Sequence, residues 1–410
     1  MRDTPSSRAT PRWGAHTPST SRRAATSSAS SARRKLDSAI SLLQKALEQD
    51  PAYALAYAAL GEAYWRLYEL QKRPELVTLA RDNCRKALGL NDLLAPVYVT
   101  LGMLERGTGR PEAALADLQR ALDRDPRSAD ALREMGWAHQ ALGRPEQAEQ
   151  ALRNALDLRP SDWATHNYLG RVYLSKGRLA EAEAEFRRVV LLTPDNPRGY
   201  TNLGSICYRQ GRLEEAETML QRSVEIRPTA AAFSNLGTTR FFLGRYEEAA
   251  QAFEKAVELS PRDASARLNL GRAYFVAPGM RERSRAPLGQ ALALLEQESA
   301  VNPREAGLIA GQADAHAMLG HAKQARALSA RAVALAPDDA DVLAVVASVD
   351  ETFGDRAAAL RNVSKAIANG YPRWEVERDP ALRALREDPR FAEVLKGVAP
   401  TPVEKEKKPQ

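Results

Sequence analysis

Small residues return at a nearly fixed interval through most of this chain. Seven of the chain's Leu-Gly or Met-Gly pairs recur in one series, at Leu60-Gly61, Leu101-Gly102, Met135-Gly136, Leu169-Gly170, Leu203-Gly204, Leu236-Gly237 and Leu270-Gly271. After a first gap of 41 residues, they stand 34, 34, 34, 33 and 34 apart. A period near 34 describes a stack of helical hairpins, because one such hairpin cannot bury its apolar face alone. A stack of this kind offers a surface rather than a catalytic pocket.

A second series runs in the same phase: Ala39, Ala80, Ala114, Ala148, Ala182, Ala216, Ala249, Ala286, Ala325 and Ala359. Prolines follow twelve residues later in most units, at Pro51, Pro126, Pro160, Pro194, Pro228, Pro261 and Pro337. Gly-Arg pairs fall between the helices of a unit, as at Gly109-Arg110, Gly143-Arg144, Gly177-Arg178, Gly211-Arg212 and Gly244-Arg245. Gly on the first helix and Ala on the second allow close backbone approach. The turn glycine accepts a positive φ, and the proline stops the second helix. Ala182, Phe186 and Val189 follow helical spacing along one face of a second helix.

Composition agrees with helices. The chain is 44% hydrophobic but only 6% aromatic, which argues against a β-sandwich or barrel. Its net charge of +7 is concentrated at one end: residues 1–40 carry eight basic side chains against Asp3 and Asp37. The remainder is close to neutral, so a basic stripe for nucleic acid is not expected. No run of 18 apolar residues suggests a transmembrane helix, and no apolar stretch follows Arg22-Arg23 to form an export signal. Cys84 and Cys207 fall at interior positions, which is compatible with a reducing compartment, so a cytoplasmic location is expected.

The combined pattern resembles the tetratricopeptide repeat. The unit from Trp163 to Asn196 carries it well, with Leu169, Gly170, Tyr173, Ala182, Phe186 and Pro194 in the family's positions. The resemblance covers nine units over roughly residues 54–370. It implies a right-handed all-α solenoid of antiparallel helix pairs, with an unpaired half-unit (Lys35 to Gln49) before the first full unit. Three departures carry expectations of their own. Residues 70–75 should lengthen the turn of the first full unit, and residues 277–281 that of the seventh. Gln312-Ala313 and Val346-Ala347 replace Leu-Gly, which predicts looser packing in the last two units.

Residues 1–34, rich in Ser, Thr, Arg, Ala and Pro, are expected to be disordered, as is the charged tail 399–410. The array is then 35–370, and 371–398 a helical cap. Asp379-Pro380 and Asp388-Pro389 are helix-start signals, predicting short helices over residues 381–387 and 390–398. This closing segment resembles the one that ends the repeat region of bacterial serine/threonine kinases of eukaryotic type. No Gly-rich phosphate loop, His-Arg-Asp or Asp-Phe-Gly motif accompanies it.

No residues suggest catalysis, a metal or a cofactor, so the chain reads as a non-enzyme. His139, His166 and His316 occupy packing positions, and none pairs with Cys at a metal spacing. The sharper constellation is Asn202, Asn235 and Asn269, each directly before its Leu-Gly. Such a ladder of amides can hold an extended chain regardless of its side chains. The same asparagines could equally bond to neighbouring helices. Arg133, Trp137, Arg171, Arg198, Tyr208, Arg209, Phe241, Arg272 and Phe275 are further groove candidates, since Arg and aromatic rings anchor interfaces. The expected partner is an extended peptide, in part acidic. The function expected is a protein–protein interaction scaffold, with a detached regulatory segment of a kinase-type signalling protein as the alternative.

Overall fold

The protein is described here by a computed structural model covering residues 19–397. Among the described residues every regular element is helical. The chain divides into two compact units between Leu192 and Thr193.

Unit 1 begins with α1 (Ser19–Gln49). Four hairpins follow: α2 (Ala54–Gln71) with α3 (Pro74–Leu90), α4 (Ala95–Gly107) with α5 (Pro111–Arg124), α6 (Ala129–Ala141) with α7 (Pro145–Leu158), and α8 (Trp163–Ser175) with α9 (Leu179–Leu192). Leu36, Ile40, Leu43 and Leu47 of α1 pack on Leu60, Ala63 and Leu67 of α2, so the half-unit completes the first layer. Residues 19–34 are placed in α1, continuous with the half-unit expected from Lys35. No Pro or Gly stands between Ser19 and Lys35 to stop a helix propagating back from that apolar contact. Residues 1–18 and the tail 399–410 lie outside the described residues.

Unit 2 holds five hairpins: α10 (Pro197–Arg209) with α11 (Leu213–Ile226), α12 (Ala230–Phe242) with α13 (Tyr246–Leu259), α14 (Ala264–Val276) with α15 (Arg285–Val301), α16 (Ala306–Met318) with α17 (Ala322–Leu335), and α18 (Ala340–Thr352) with α19 (Arg356–Ala368). Then come α20 (Arg373–Arg378), two 3₁₀ turns (Pro380–Leu382 and Leu385–Glu387) and α21 (Pro389–Gly397).

The same local chemistry builds hairpins in both units. Ser128 and Asp162 in unit 1, and Asn196, Asp263 and Asp339 in unit 2, stand two residues beyond a closing proline. Each side chain accepts a hydrogen bond from a first-turn N–H, so the stop of one helix leads directly into the cap of the next. Turn glycines such as Gly109 (φ 82°) and Gly211 (φ 74°) sit in the left-handed region. Arg110 N–H then reaches Glu105 O at 2.8 Å, and Arg212 N–H reaches Cys207 O at 2.9 Å, satisfying carbonyls that the helix end leaves open.

The helix-interior glycines act by space. A Cβ on Gly136 would lie 2.5 Å from Leu152 Cγ, and one on Gly237 would lie 2.8 Å from the Phe253 ring. A large side chain of the second helix therefore lies over each of these two glycines, beside the fully buried Ala148 and Ala249.

Four expectations change. Ala286 is exposed, and Ser284, 2% exposed, takes the interior small position of its unit, 13 residues after Gly271 where the units from Gly102 to Gly237 have 12. Residues 70–75 do not lengthen a turn: α2 and α3 have 18 and 17 residues where α4 and α5 have 13 and 14. Lys72, at φ 57°, makes the turn in little space. Packing around Gln312-Ala313 and Val346-Ala347 is closed rather than loose, with Ala313 and Ala347 fully buried. The Gln312 amide donates to Leu295 O at 3.0 Å and Ser299 Oγ at 2.8 Å, which satisfies the polar group. Finally, residues 381–387 form two 3₁₀ turns rather than one helix, and an unforeseen helix precedes them at Arg373–Arg378.

Candidate functional site

In each unit successive first helices lie side by side and share one face. The two units finish that face differently.

In unit 1 a line of charges and rings crosses α4, α6 and α8. Glu134, almost fully buried, accepts from Arg106 at 3.2 Å and from Arg133 at 3.4 Å. Arg133 also pairs with Asp130 at 2.8 Å and Asp162 at 3.1 Å. Burial works against its charge, yet Glu134, Asp130 and Asp162 hold its pKa above the ordinary arginine value. The Arg106 guanidinium lies 3.5 Å from the centroid of Trp137, whose ring meets Tyr168 at 4.5 Å. Arg133 and Trp137 are therefore engaged within the unit. Arg171 is exposed and makes no ion pair among the described residues.

In unit 2 the face is covered by the chain's own residues 371–381. Trp374 meets Tyr208 at 5.0 Å and Phe242 at 5.5 Å, both edge-on, and its Nε1–H donates to Arg209 O at 3.4 Å. Glu375 accepts from Tyr371 at 3.0 Å and also from Tyr208. Burial pushes the Glu375 carboxyl up to about 7, against the lowering effect of both phenols. The Tyr208 phenol is raised by burial and then by the Glu375 charge. The same segment has a second role at the stack's end: Val376, Leu382, Leu385, Phe391 and Leu395 pack on Leu360 and Val363 of α19.

Between this strap and the first helices lies a cavity of about 440 Å³. Phe241, Phe242, Phe253, Phe275, Tyr208 and Tyr371 supply its rings, and Asn269, Arg272, Asp314, Glu375 and Asp379 supply its polar lining. Arg272 Nε donates to Asp314 at 2.6 Å. Burial raises the pKa of Asp379, opposed by the Ala381 N–H, which Asp379 accepts at 2.8 Å, and by Arg272.

The expected asparagine ladder lies wholly in unit 2, with its members differently engaged. Asn235 donates to Ser205 Oγ of the neighbouring first helix at 3.2 Å, and Asn202 is also engaged. Asn269 faces the cavity and has no hydrogen-bond partner among the described residues. Tyr208, Phe241, Arg272 and Phe275 converge on the cavity, whereas Arg198 and Arg209 are exposed. The sequence reading missed Arg106 and Glu134, and treated Tyr371, Trp374, Glu375 and Asp379 only as an end cap. The signal for the strap was present: Tyr371 and Trp374 follow the last turn glycine, where no repeat position exists to receive them.

Both cysteines are buried and neither is in a disulfide, and burial pushes the Cys84 thiol up to about 12, so it is not poised for nucleophilic chemistry. His166 has both ring nitrogens bonded, to Glu185 at 2.6 Å and Pro160 O at 2.9 Å. Among the described residues no group of three His, Cys, Asp or Glu is placed to hold a metal ion, and no helix is long and apolar enough to cross a membrane.

Paired helices, most of them joined by a glycine turn and drawn together by a glycine on the first helix and a buried small residue on the second, define an α-solenoid of repeats. Residues 97–161 and 195–262 match a family model described as tetratricopeptide repeat, 133–197 match another so described, and 32–67 match one described as TPR repeat. Those residues carry tetratricopeptide repeats. Two curated Drosophila melanogaster proteins, Hsc70-interacting protein 1 and 2, are each 38% identical over 105 residues, or 25% of this chain and 26% of theirs. The chain thus spans about a quarter of the length of these relatives. Among solved structures, a tetratricopeptide repeat protein from Parabacteroides merdae is 21% identical, with 64% of this chain and all of that one covered, at a TM-score of 0.45. Pseudomonas aeruginosa PilF is 20% identical over 51% of this chain and 96% of its own, at 0.44. Scores at this level are too low to carry an argument about this chain.

Proposed function

We propose that this protein is a non-enzymatic interaction scaffold that binds an extended polypeptide along the first-helix face of its repeats. The observation that carries this reading is the strap. Residues 371–381 are themselves a short polypeptide held on that face by two edge-on ring contacts, a Trp N–H to a backbone carbonyl, and a carboxylate shared by two phenols. Aromatic anchors with directed hydrogen bonds are the usual means of holding a peptide. The exposed Arg171, Arg198 and Arg209, free of ion pairs among the described residues, suit a partner with acidic side chains.

The test uses the full chain. A fluorescent peptide spanning Tyr371 to Ala381 is titrated into the wild type and into Trp374→Ala, whose own strap is weakened. Saturable binding to Trp374→Ala, weaker in Trp374→Ala with Tyr208→Ala, is the expected result. An absence of binding to the folded Trp374→Ala protein would remove the reading.

A further inference from the structure

The cavity between the strap and the first helices has a composition that the packing of unit 2 does not require. Six aromatic rings wall it, which is far above the share expected in a chain with 6% aromatic residues. Its polar groups are unbalanced. Three carboxylates, Asp314, Glu375 and Asp379, line it against one cation, Arg272, which pairs with Asp314 at 2.6 Å and reaches Asp379 only through its charge, so neither Glu375 nor Asp379 has an ion pair in the lining. Arg386, behind the strap, donates to the backbone carbonyls of Asp379 and Val376 rather than to either carboxylate. Asn269 adds an amide without a hydrogen-bond partner among the described residues.

We infer that this cavity binds a small organic cation, an ammonium or guanidinium group on an apolar or aromatic body. Rings attract a cation through their negative faces, most strongly where water is excluded. Glu375 and Asp379, which a bound cation would hold in the charged form, select the positive sign, and the Asn269 amide can donate to or accept from a polar atom elsewhere on the ligand. A volume of about 440 Å³ falls in the range of small-molecule sites and exceeds what a bare metal ion needs. An anion would meet Glu375 and Asp379, and a neutral aromatic body would leave them unmatched. Because Tyr371, Glu375, Asp379, Pro380 and Ala381 form one wall, a bound cation also ties the strap to the first helices. This inference does not depend on whether the face binds a polypeptide.

The test is calorimetric titration of the full chain with benzyltrimethylammonium and agmatine as free cations, benzyl alcohol as the neutral analogue and benzoate as the anion. A blocked Gly-Arg-Gly tripeptide asks whether the cation can be a peptide side chain instead. The proposal expects binding of at least one cation, with the neutral and anionic analogues weaker by about tenfold or more. Glu375→Gln with Asp379→Asn retains the hydrogen-bonding shape and should weaken cation binding by a similar factor. Asn269→Ala, away from the strap, gives a second variant, and circular dichroism checks that each remains helical. The proposal is overturned by equal binding of benzyl alcohol, by no cation binding at millimolar concentration, or by unchanged binding in the folded double variant.

Discussion

The first-helix faces of the two units are built by the same repeat and finished by different means. In unit 1, Arg106, Glu134, Arg133 and Asp162 neutralise one another across neighbouring helices, while Trp137 is held between Arg106 and Tyr168. In unit 2 the corresponding face carries rings, and residues beyond the last repeat cover it. A face closed by its own side chains is rigid from the outset. A face closed by a separate segment can be opened by anything that weakens that segment. The difference lies in the side chains between the repeat landmarks, because the landmarks themselves are common to both units.

Removing the centre of the unit 1 network should produce the largest effect. Glu134→Ala leaves Arg106 buried without a carboxylate partner, at a cost of about 3 kcal/mol, measurable as a lower urea midpoint. A loss below about 1 kcal/mol would mean that the network is not what closes this face. Unit 2 instead predicts a pH effect. Glu375 and Asp379 both bind protons more tightly when folded than unfolded, since burial raises both. Their contribution is therefore full below the ordinary carboxylate range and is lost as pH rises through about 7. Docking of the strap should weaken between about pH 5 and 8 by on the order of 2 kcal/mol. Hydrogen exchange over residues 371–381 reads this directly, and Glu375→Gln should flatten the profile. Faster exchange at the acid end would reverse the assigned role of Glu375. The smallest effect belongs to Arg171→Ala, expected to change stability by less than about 0.5 kcal/mol, because this exposed side chain has no ion-pair partner among the described residues. A larger loss would extend the unit 1 network beyond Arg133.

Much of the backbone was legible because each repeat landmark acts locally. Gly143 ends a helix through its own φ, and Ser128 or Asp162 starts the next by accepting a first-turn N–H two residues past a proline. Where an insertion disturbed spacing, counting alone failed. Ala286 is two residues from the position that Ser284 fills, and residues 70–75, apart from the Lys72-Arg73 turn, fall within longer helices. The site was less legible. Asn202, Asn235 and Asn269 share one register, but only their surroundings separate an amide bonded to Ser205 from one facing a cavity.

The sequence by itself determined the helical hairpins, their number and, away from the insertions, which residues face the layer interior. Those properties depend on spacing, turn chemistry and the size of a few small side chains. Only the tertiary structure decided that Arg133 is consumed by Asp130, Glu134 and Asp162, and that Trp374 returns to Tyr208, 166 positions earlier in the chain. Such pairings join residues distant in sequence, and no local periodicity encodes which distant side chain will meet a given ring or charge.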